Sequence, residues 1–194
     1  MTTLPTSAFV VLGLLDEHEA EEVTPYKLDQ WIRRGIGHFW AFPRSQLYAE
    51  AGRLVRRGLI VEHQEEGGRR RRTVAITEAG RRELRRWLET PTQAATEIHD
   101  EGALRLYFQP LGREGSSPQD NAAAVGGIGR LAEEQIAAHQ DRLANYRQVV
   151  ASGRLRPGSP QRAALEIGLR FEQMIIEFWR EVGESPAELL SPPQ

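Results

Sequence analysis

Apolar residues recur along this chain in three different rhythms. Ala8-Phe-Val-Val-Leu-Gly-Leu-Leu15 is almost continuously apolar and predicts a buried first helix, capped by Thr6 or Ser7. Leu28, Trp31 and Ile32 then recur at helical spacing behind Thr24-Pro25, an N-cap followed by proline at the first helical position, and Gly35-Ile-Gly37 ends that second helix. A third helix is expected from near Pro43 to Gly58, with Leu47, Ala51, Leu54 and, more peripherally, Val55 facing inward. Past Gly58 the period falls to two. Arg72, Val74 and Ile76 point one way, Thr73, Ala75 and Thr77 the other, and the run Leu59-Ile-Val61 precedes them across Gly67-Gly68. Two short strands about a glycine turn make a hairpin. Thr77 is placed to cap a fourth helix, Glu78 to Glu89, which a Thr90-Pro91 step ends.

Beyond residue 91 only the helical rhythm remains. A segment at about 94–109 holds Ile98, Leu104, Leu106, Tyr107 and Phe108, and Gly112 to Ser117 has linker composition. Ser117-Pro118 opens a long helix whose apolar residues keep near-heptad spacing to about Ala151. After the turn Gly153 to Pro160, a last helix at about 160–183 carries Leu165, Leu169, Ile175, Ile176, Phe178, Trp179 and Val182. Two amphipathic helices joined this way form a hairpin with an apolar stripe left over, and a second chain is its natural cover. Leu131, Ile136, His139, Leu143, Tyr146, Leu169, Ile176 and Trp179 are the candidate dimer-interface residues.

The expected fold is therefore mainly α. A winged helix-turn-helix (three helices plus a two-stranded wing) fills residues 1–90, and an all-helical dimerisation domain, with room for an effector, fills 91–194.

Charge sharpens this picture. The net charge of −2 conceals an asymmetry: residues 53–86 hold 11 arginines against 5 glutamates. Arg69 to Arg72 stand together at the hairpin tip, where they cannot build a core but suit a polyanion. A solvated surface run is the plain alternative. On the third helix, Ser45, Ala49, Gly52 and Arg56 lie opposite Leu47, with Gln46 and Arg53 alongside. Three of these are very small, and an interior helical glycine costs roughly 0.5–1 kcal/mol relative to alanine. Close approach to another surface would offset that cost; a merely tolerated exposed glycine is the plain alternative.

The absence of cysteine excludes disulfides and thiolate metal sites and suits a cytoplasmic protein. No apolar stretch approaches the roughly 20 residues of a membrane span, and the N-terminal segment makes a poor secretory signal. The five histidines lack zincin spacing. His99-Asp100-Glu101 reads as a solvated helix start in preference to a metal site, and Gly126-Gly-Ile-Gly129, with no strand before it, as close helix packing in preference to a nucleotide loop. No enzyme, cofactor or metal is expected.

At this point the residues resemble the PadR family of bacterial transcriptional regulators, over nearly the whole chain. Gln46-Leu-Tyr48, Arg53-Leu54 and Arg57-Gly-Leu-Ile60 are similar to its third-helix signature, and Ile76-Thr-Glu-Ala-Gly80 to its wing exit. Gly168-Leu-Arg-Phe-Glu172 with Glu177-Phe-Trp179 resembles the closing helix of its longer C-terminal domain. The resemblance implies a homodimeric repressor that binds an inverted-repeat operator in double-stranded DNA, and many relatives release DNA on binding a small, often aromatic molecule. One departure is Pro43, where the family often has a capping serine.

On this reading the third helix enters the major groove by its N-terminal end. Arg44 and Gln46 are the candidates for base edges, since arginine pairs with guanine and glutamine with adenine bidentately. Ser45 and Tyr48 donate to phosphate, with core packing at the helix edge as the alternative for Tyr48. Arg53 lies alongside, and Arg69, Arg70, Arg71 and Arg72 hold the flanking backbone or minor groove. Arg72, in phase with Val74, has the alternative of being anchored to the strand. Phe39, Trp40 and Phe42, or Tyr107, Phe108, Phe171, Phe178 and Trp179, could line an effector pocket, although aromatic residues at such spacing are more often core. The rival reading is a winged helix that binds protein instead of DNA.

Overall fold

A computed structural model of the chain describes residues 4–18, 23–38, 40, 42–64, 72–94 and 97–186. It divides into two units, residues 1–95 and 96–194. The first is built on α1 (Thr6–Glu17), whose nearly continuous apolar run buries Ala8, Phe9, Val11, Leu12, Leu14 and Leu15. A helix apolar on most sides has to be surrounded. Here α3 (Arg44–Arg56), α4 (Glu78–Glu89) and strand β2 (Arg72–Ile76) pack on it, and α2 (Pro25–Arg34) adds Leu28 and Ile32 to the same core. Neither Thr6 nor Ser7 caps α1. The N-cap is Pro5, without a side-chain acceptor, and the Ser7 hydroxyl instead donates across the core to Glu50.

The other boundaries follow local chemistry. Thr24 accepts from the Lys27 amide, with Pro25 opening α2, and Gly35 is its C-cap. At the end of α3 the Gly58 amide bonds to the Val55 carbonyl and the Leu59 amide to Leu54, the paired bonds of a Schellman turn. That turn needs a left-handed residue, and Gly58 supplies φ +67. The chain then enters β1 (Ile60–Gln64), antiparallel to β2 in the register Ile60↔Ile76, Glu62↔Val74, Gln64↔Arg72. Val23 adds a single bridge to Val74. Inward-facing Ile60, Val74 and Ile76 are buried, as the period-two reading requires. Thr77 closes the motif: its hydroxyl donates to the Gly58 and Leu59 carbonyl oxygens and accepts from the Gly80 amide, capping α4.

The second unit is helical. Asp100 caps α5 (Glu101–Tyr107) by accepting from Ala103, so the His99-Asp100-Glu101 triplet is a helix start. Ser117 and Asp120 form a capping box ahead of the 34-residue α6 (Pro118–Ala151). Ser159 caps the 25-residue α7 (Pro160–Glu184). Early α6 residues Ile128, Leu131 and Ala132 pack on late α7 residues Trp179 and Val182, whereas Tyr146 near the end of α6 meets Gly168 near the start of α7. The two helices therefore run antiparallel. Close packing is made by α7 glycines: a methyl on Gly168 would lie 2.9 Å from the Tyr146 ring, and one on Gly183 3.1 Å from the Ala132 methyl. The expectation of close packing at Gly126-Gly-Ile-Gly129 is not met. A methyl on Gly129 would meet nothing within 4 Å, and those on Gly126 and Gly127 only side-chain ends at 3.8 and 3.4 Å.

Candidate nucleic-acid interface

The inward stripe of α3 does more than bury Leu47, Ala51 and Leu54. It turns the remaining arc of the helix outward as one continuous surface. Arg44, Ser45, Gln46, Tyr48, Ala49, Arg53 and Arg56 are exposed there, with Gly52 half-buried among them. At the leading end, the Gln46 and Leu47 amides donate to the Pro43 carbonyl at 3.0 and 3.2 Å, and Pro43 offers no side-chain acceptor. The proline keeps the helix start where the sequence placed it but leaves the first turn without a side-chain cap. The earlier amides of that turn precede any intrahelical acceptor. A methyl on Gly52 would meet only the end of Arg56, at 3.6 Å, so nothing within the chain demands glycine there.

Two carboxylates that the spacing did not single out lie beneath this surface. Asp29 of α2 is 4% exposed and Glu50 of α3 is 1% exposed. Asp29 Oδ2 accepts from Arg44 Nη2 at 2.6 Å and from Arg33 Nε at 3.1 Å. Glu50 accepts from Arg53 through Nη2 at 2.5 Å and Nε at 3.4 Å, and from the Ser7 hydroxyl at 2.9 Å. The Arg44 hydrogen bond, helped by the charge of Arg33 and opposed by burial, holds the Asp29 carboxyl below its ordinary range. The same bond, with smaller effects from Tyr48 and Tyr26, holds the Arg44 guanidinium more firmly protonated. Arg53 is raised likewise by its bond to Glu50.

A signal for Glu50 did exist. It lies within 60° of Leu47 on the helical wheel, inside the apolar stripe, where a charged residue has to find a partner. Asp29 carries the i,i+4 spacing to Arg33, but its second partner, Arg44, comes from another helix and leaves no local trace. Exposed Tyr26, whose charge effect reaches Arg44, was missed for the same reason.

On the hairpin, Arg72 pairs with Glu62 of the neighbouring strand at 2.5 Å, on the face the two share diagonally. Its guanidinium is tied to the strand, as the alternative reading of that residue had it. Arg69, Arg70 and Arg71 lie outside the described residues, as does Phe39.

The seam residues of the second unit are mostly occupied within one chain. Leu131, Leu143, Tyr146, Ile176 and Trp179 are buried, Ile136 and Leu169 partly so, and His139 Nδ1 lies 2.5 Å from Glu172 Oε2 with both side chains buried. Trp179 packs in the α6–α7 core. What α7 leaves in solvent is a different stripe: Ile167, Met174 and Phe178 are exposed, with Phe171 half-buried between them, at i, i+7, i+11 and i+4. Trp40 is partly exposed and Phe42 packs on the first core. Among the described residues no group of histidine and acidic side chains could hold a metal ion, and no helix is long and apolar enough to cross a membrane.

Residues 11–86, which include α2, α3 and the hairpin strands, match the Transcriptional regulator PadR-like family. The chain is 28% identical over 102 residues to the Negative transcriptional regulator PadR of Bacillus subtilis (strain 168), a match over 52% of this chain and 54% of that relative, about half its length. The crystal structure of Bacillus subtilis PadR in complex with operator DNA is similar with a TM-score of 0.73 at 20% identity, covering 93% of this chain and 98% of the other. That of the same protein in complex with p-coumaric acid gives 0.69 at 20% identity over the same shares. At such identities the structures establish a common fold, a mainly helical winged-helix architecture. The family and these relatives are transcriptional regulators and not enzymes.

Proposed function

We propose that this chain, a PadR-like regulator by its domain at residues 11–86, is a cytoplasmic homodimer that binds an inverted-repeat operator in double-stranded DNA and represses transcription from it. The observation that carries this reading is the outward arc of α3. Arg44, Ser45, Gln46, Tyr48 and Arg53 are exposed on it around Ala49 and Gly52, residues small enough to let the helix axis approach a groove floor. The relative solved with operator DNA shares the fold. Arg44 and Gln46 read base edges, Ser45 and Tyr48 hold phosphate, and Arg69 to Arg71 supply salt-dependent grip on the flanking backbone. Arg72 contributes less, because its guanidinium is held by Glu62.

Dimerisation belongs to the second unit. The exposed Ile167, Phe171, Met174 and Phe178 stripe forms the contact, while Leu131, Ile136, His139, Leu143, Tyr146, Leu169, Ile176 and Trp179 hold α6 behind it. A small aromatic or amphiphilic molecule releases the DNA, a reading that draws on the relative solved with p-coumaric acid.

The test is selection from a random duplex pool, followed by fluorescence anisotropy on the enriched duplex across salt concentrations. The wild-type chain should enrich an inverted repeat. Replacing Arg69, Arg70 and Arg71 together with alanine should reduce the slope of log affinity against log salt by roughly 0.9 for each phosphate left without its arginine. Enrichment of no sequence would refute the reading, and an unchanged slope would refute the role of the wing tip.

A further inference from the structure

Asp29 and Glu50 are costly residues in their positions. A carboxylate taken out of water loses several kcal/mol of solvation, and an apolar side chain of similar size commonly serves stability as well. Each recovers part of that loss from an arginine whose own side chain stays about half exposed: 52% for Arg44 and 49% for Arg53. An ion pair serving the core alone would be expected to bury both partners. These bury the anion and present the cation.

The placement of the two arginines adds direction. At 100° per residue Arg44 and Arg53 lie on opposite flanks of α3, with Ser45, Ala49 and Gly52 in the arc between them. Each is tied at its own flank. Asp29 reaches Arg44 from α2 and gathers Arg33 as well, so one buried anion places two cations. Glu50 grips Arg53 through Nε and Nη2 together and is itself fixed by the Ser7 hydroxyl of α1. A free arginine loses roughly 0.5–1.5 kcal/mol of rotamer freedom when an interface immobilises it, and one already oriented loses less.

We propose that Asp29 and Glu50 are positioning residues for DNA recognition, which hold Arg44 with Arg33 and Arg53 on the two flanks of the groove-facing arc before the duplex arrives. The inference rests on the DNA-binding reading above and adds two residues that never touch DNA. Their contribution is to selectivity. A pre-set guanidinium meets one base edge at the right angle, whereas a swinging one remains a cation near phosphate.

The experiment uses the full chain, the duplex it enriches from a random pool, and a scrambled duplex of equal length. Asp29→Asn should weaken binding to the enriched duplex by roughly tenfold, the scale of one good base contact, leaving scrambled-duplex affinity and the salt slope unchanged. In an Arg44→Ala background the same substitution should have no further effect on selectivity. Glu50→Gln should behave alike with respect to Arg53→Ala. Equal losses on both duplexes, or losses that persist without the arginine, would show a structural role only and overturn the proposal. Arg44→Lys, at an exposed position, guards against an unfolded Asp29 variant. It keeps the charge without the fork and should lose the same selectivity, and full selectivity in that variant also overturns the proposal. A wild-type chain that enriches no duplex overturns the DNA-binding reading itself, and this inference with it.

Discussion

A methyl group on Gly80 would sit 2.2 Å from the Leu59 carbonyl oxygen and 2.9 Å from the Ile76 side chain. The glycine that closes Ile76-Thr-Glu-Ala-Gly80 is thus set by the crossing of the first turn of α4 over the chain entering β1. Backbone cannot swing aside as a side chain can, so Gly80→Ala should cost near the upper end of the roughly 1–3 kcal/mol typical of overpacking. Thermal unfolding should show this as a midpoint lowered by about 4–8 °C per kcal/mol in a unit of this size. Asp29 makes a prediction in pH. Its folded carboxyl is held below the ordinary value of about 3.9 by Arg44. The stability it contributes is complete above that value and disappears as pH falls through the lower, folded one. The difference in unfolding midpoint between wild type and Asp29→Asn should stay constant from pH 7 to about pH 5 and change only below about pH 4. A difference that changes near neutrality would point to another group.

Helix α3 shows how one element serves two surfaces. Its apolar stripe was readable because core positions recur at 3.6 residues, and the opposite arc followed by subtraction. What periodicity cannot say is why Gly52 is there, since the only neighbour a methyl would meet is the far end of Arg56. Gly52→Ala should therefore stabilise the first unit by about 0.5–1 kcal/mol while weakening binding to the enriched duplex. Stability gained with DNA affinity intact would remove close approach as the reason for the glycine. The hairpin obeys the same logic from the other side. Alternation predicted which residues of β2 are buried, but the Glu62–Arg72 pair depends on cross-strand register, which a strand does not carry in its own sequence.

In the assembled molecule, the second unit makes the limits of pattern plainest. Heptad-like spacing marks a helix face that packs on another helix, and it reads alike whether that helix belongs to the same chain or to a second one. The candidate seam includes Leu131, Leu143, Tyr146, Ile176 and Trp179, which are largely spent on packing α6 against α7. The stripe of Ile167, Phe171, Met174 and Phe178 stays at least partly in solvent and is the contact surface of the proposed dimer. Met174→Glu should accordingly shift the sedimentation coefficient towards a monomer while leaving helix content intact. A dimer that persists at micromolar concentration would place the contact elsewhere.

Residue order alone was enough for most of the helices, both strands, the caps at Thr24, Thr77 and Ser117 and the winged-helix order. Each is local, written in spacing or in a capping residue. It missed the cap of α1, because Ser7 had a distant acceptor in Glu50. It also missed that the arginines flanking the outward arc of α3 are anchored from below. The Asp29–Arg44 and Ser7–Glu50 pairings join residues 15 and 43 positions apart, and only packing α1, α2 and α3 around one core brings these groups within reach. Glu50 and Arg53 are three residues apart on one helix. Spacing along a chain encodes which way a side chain faces; whom it meets there depends on every other element that shares the core.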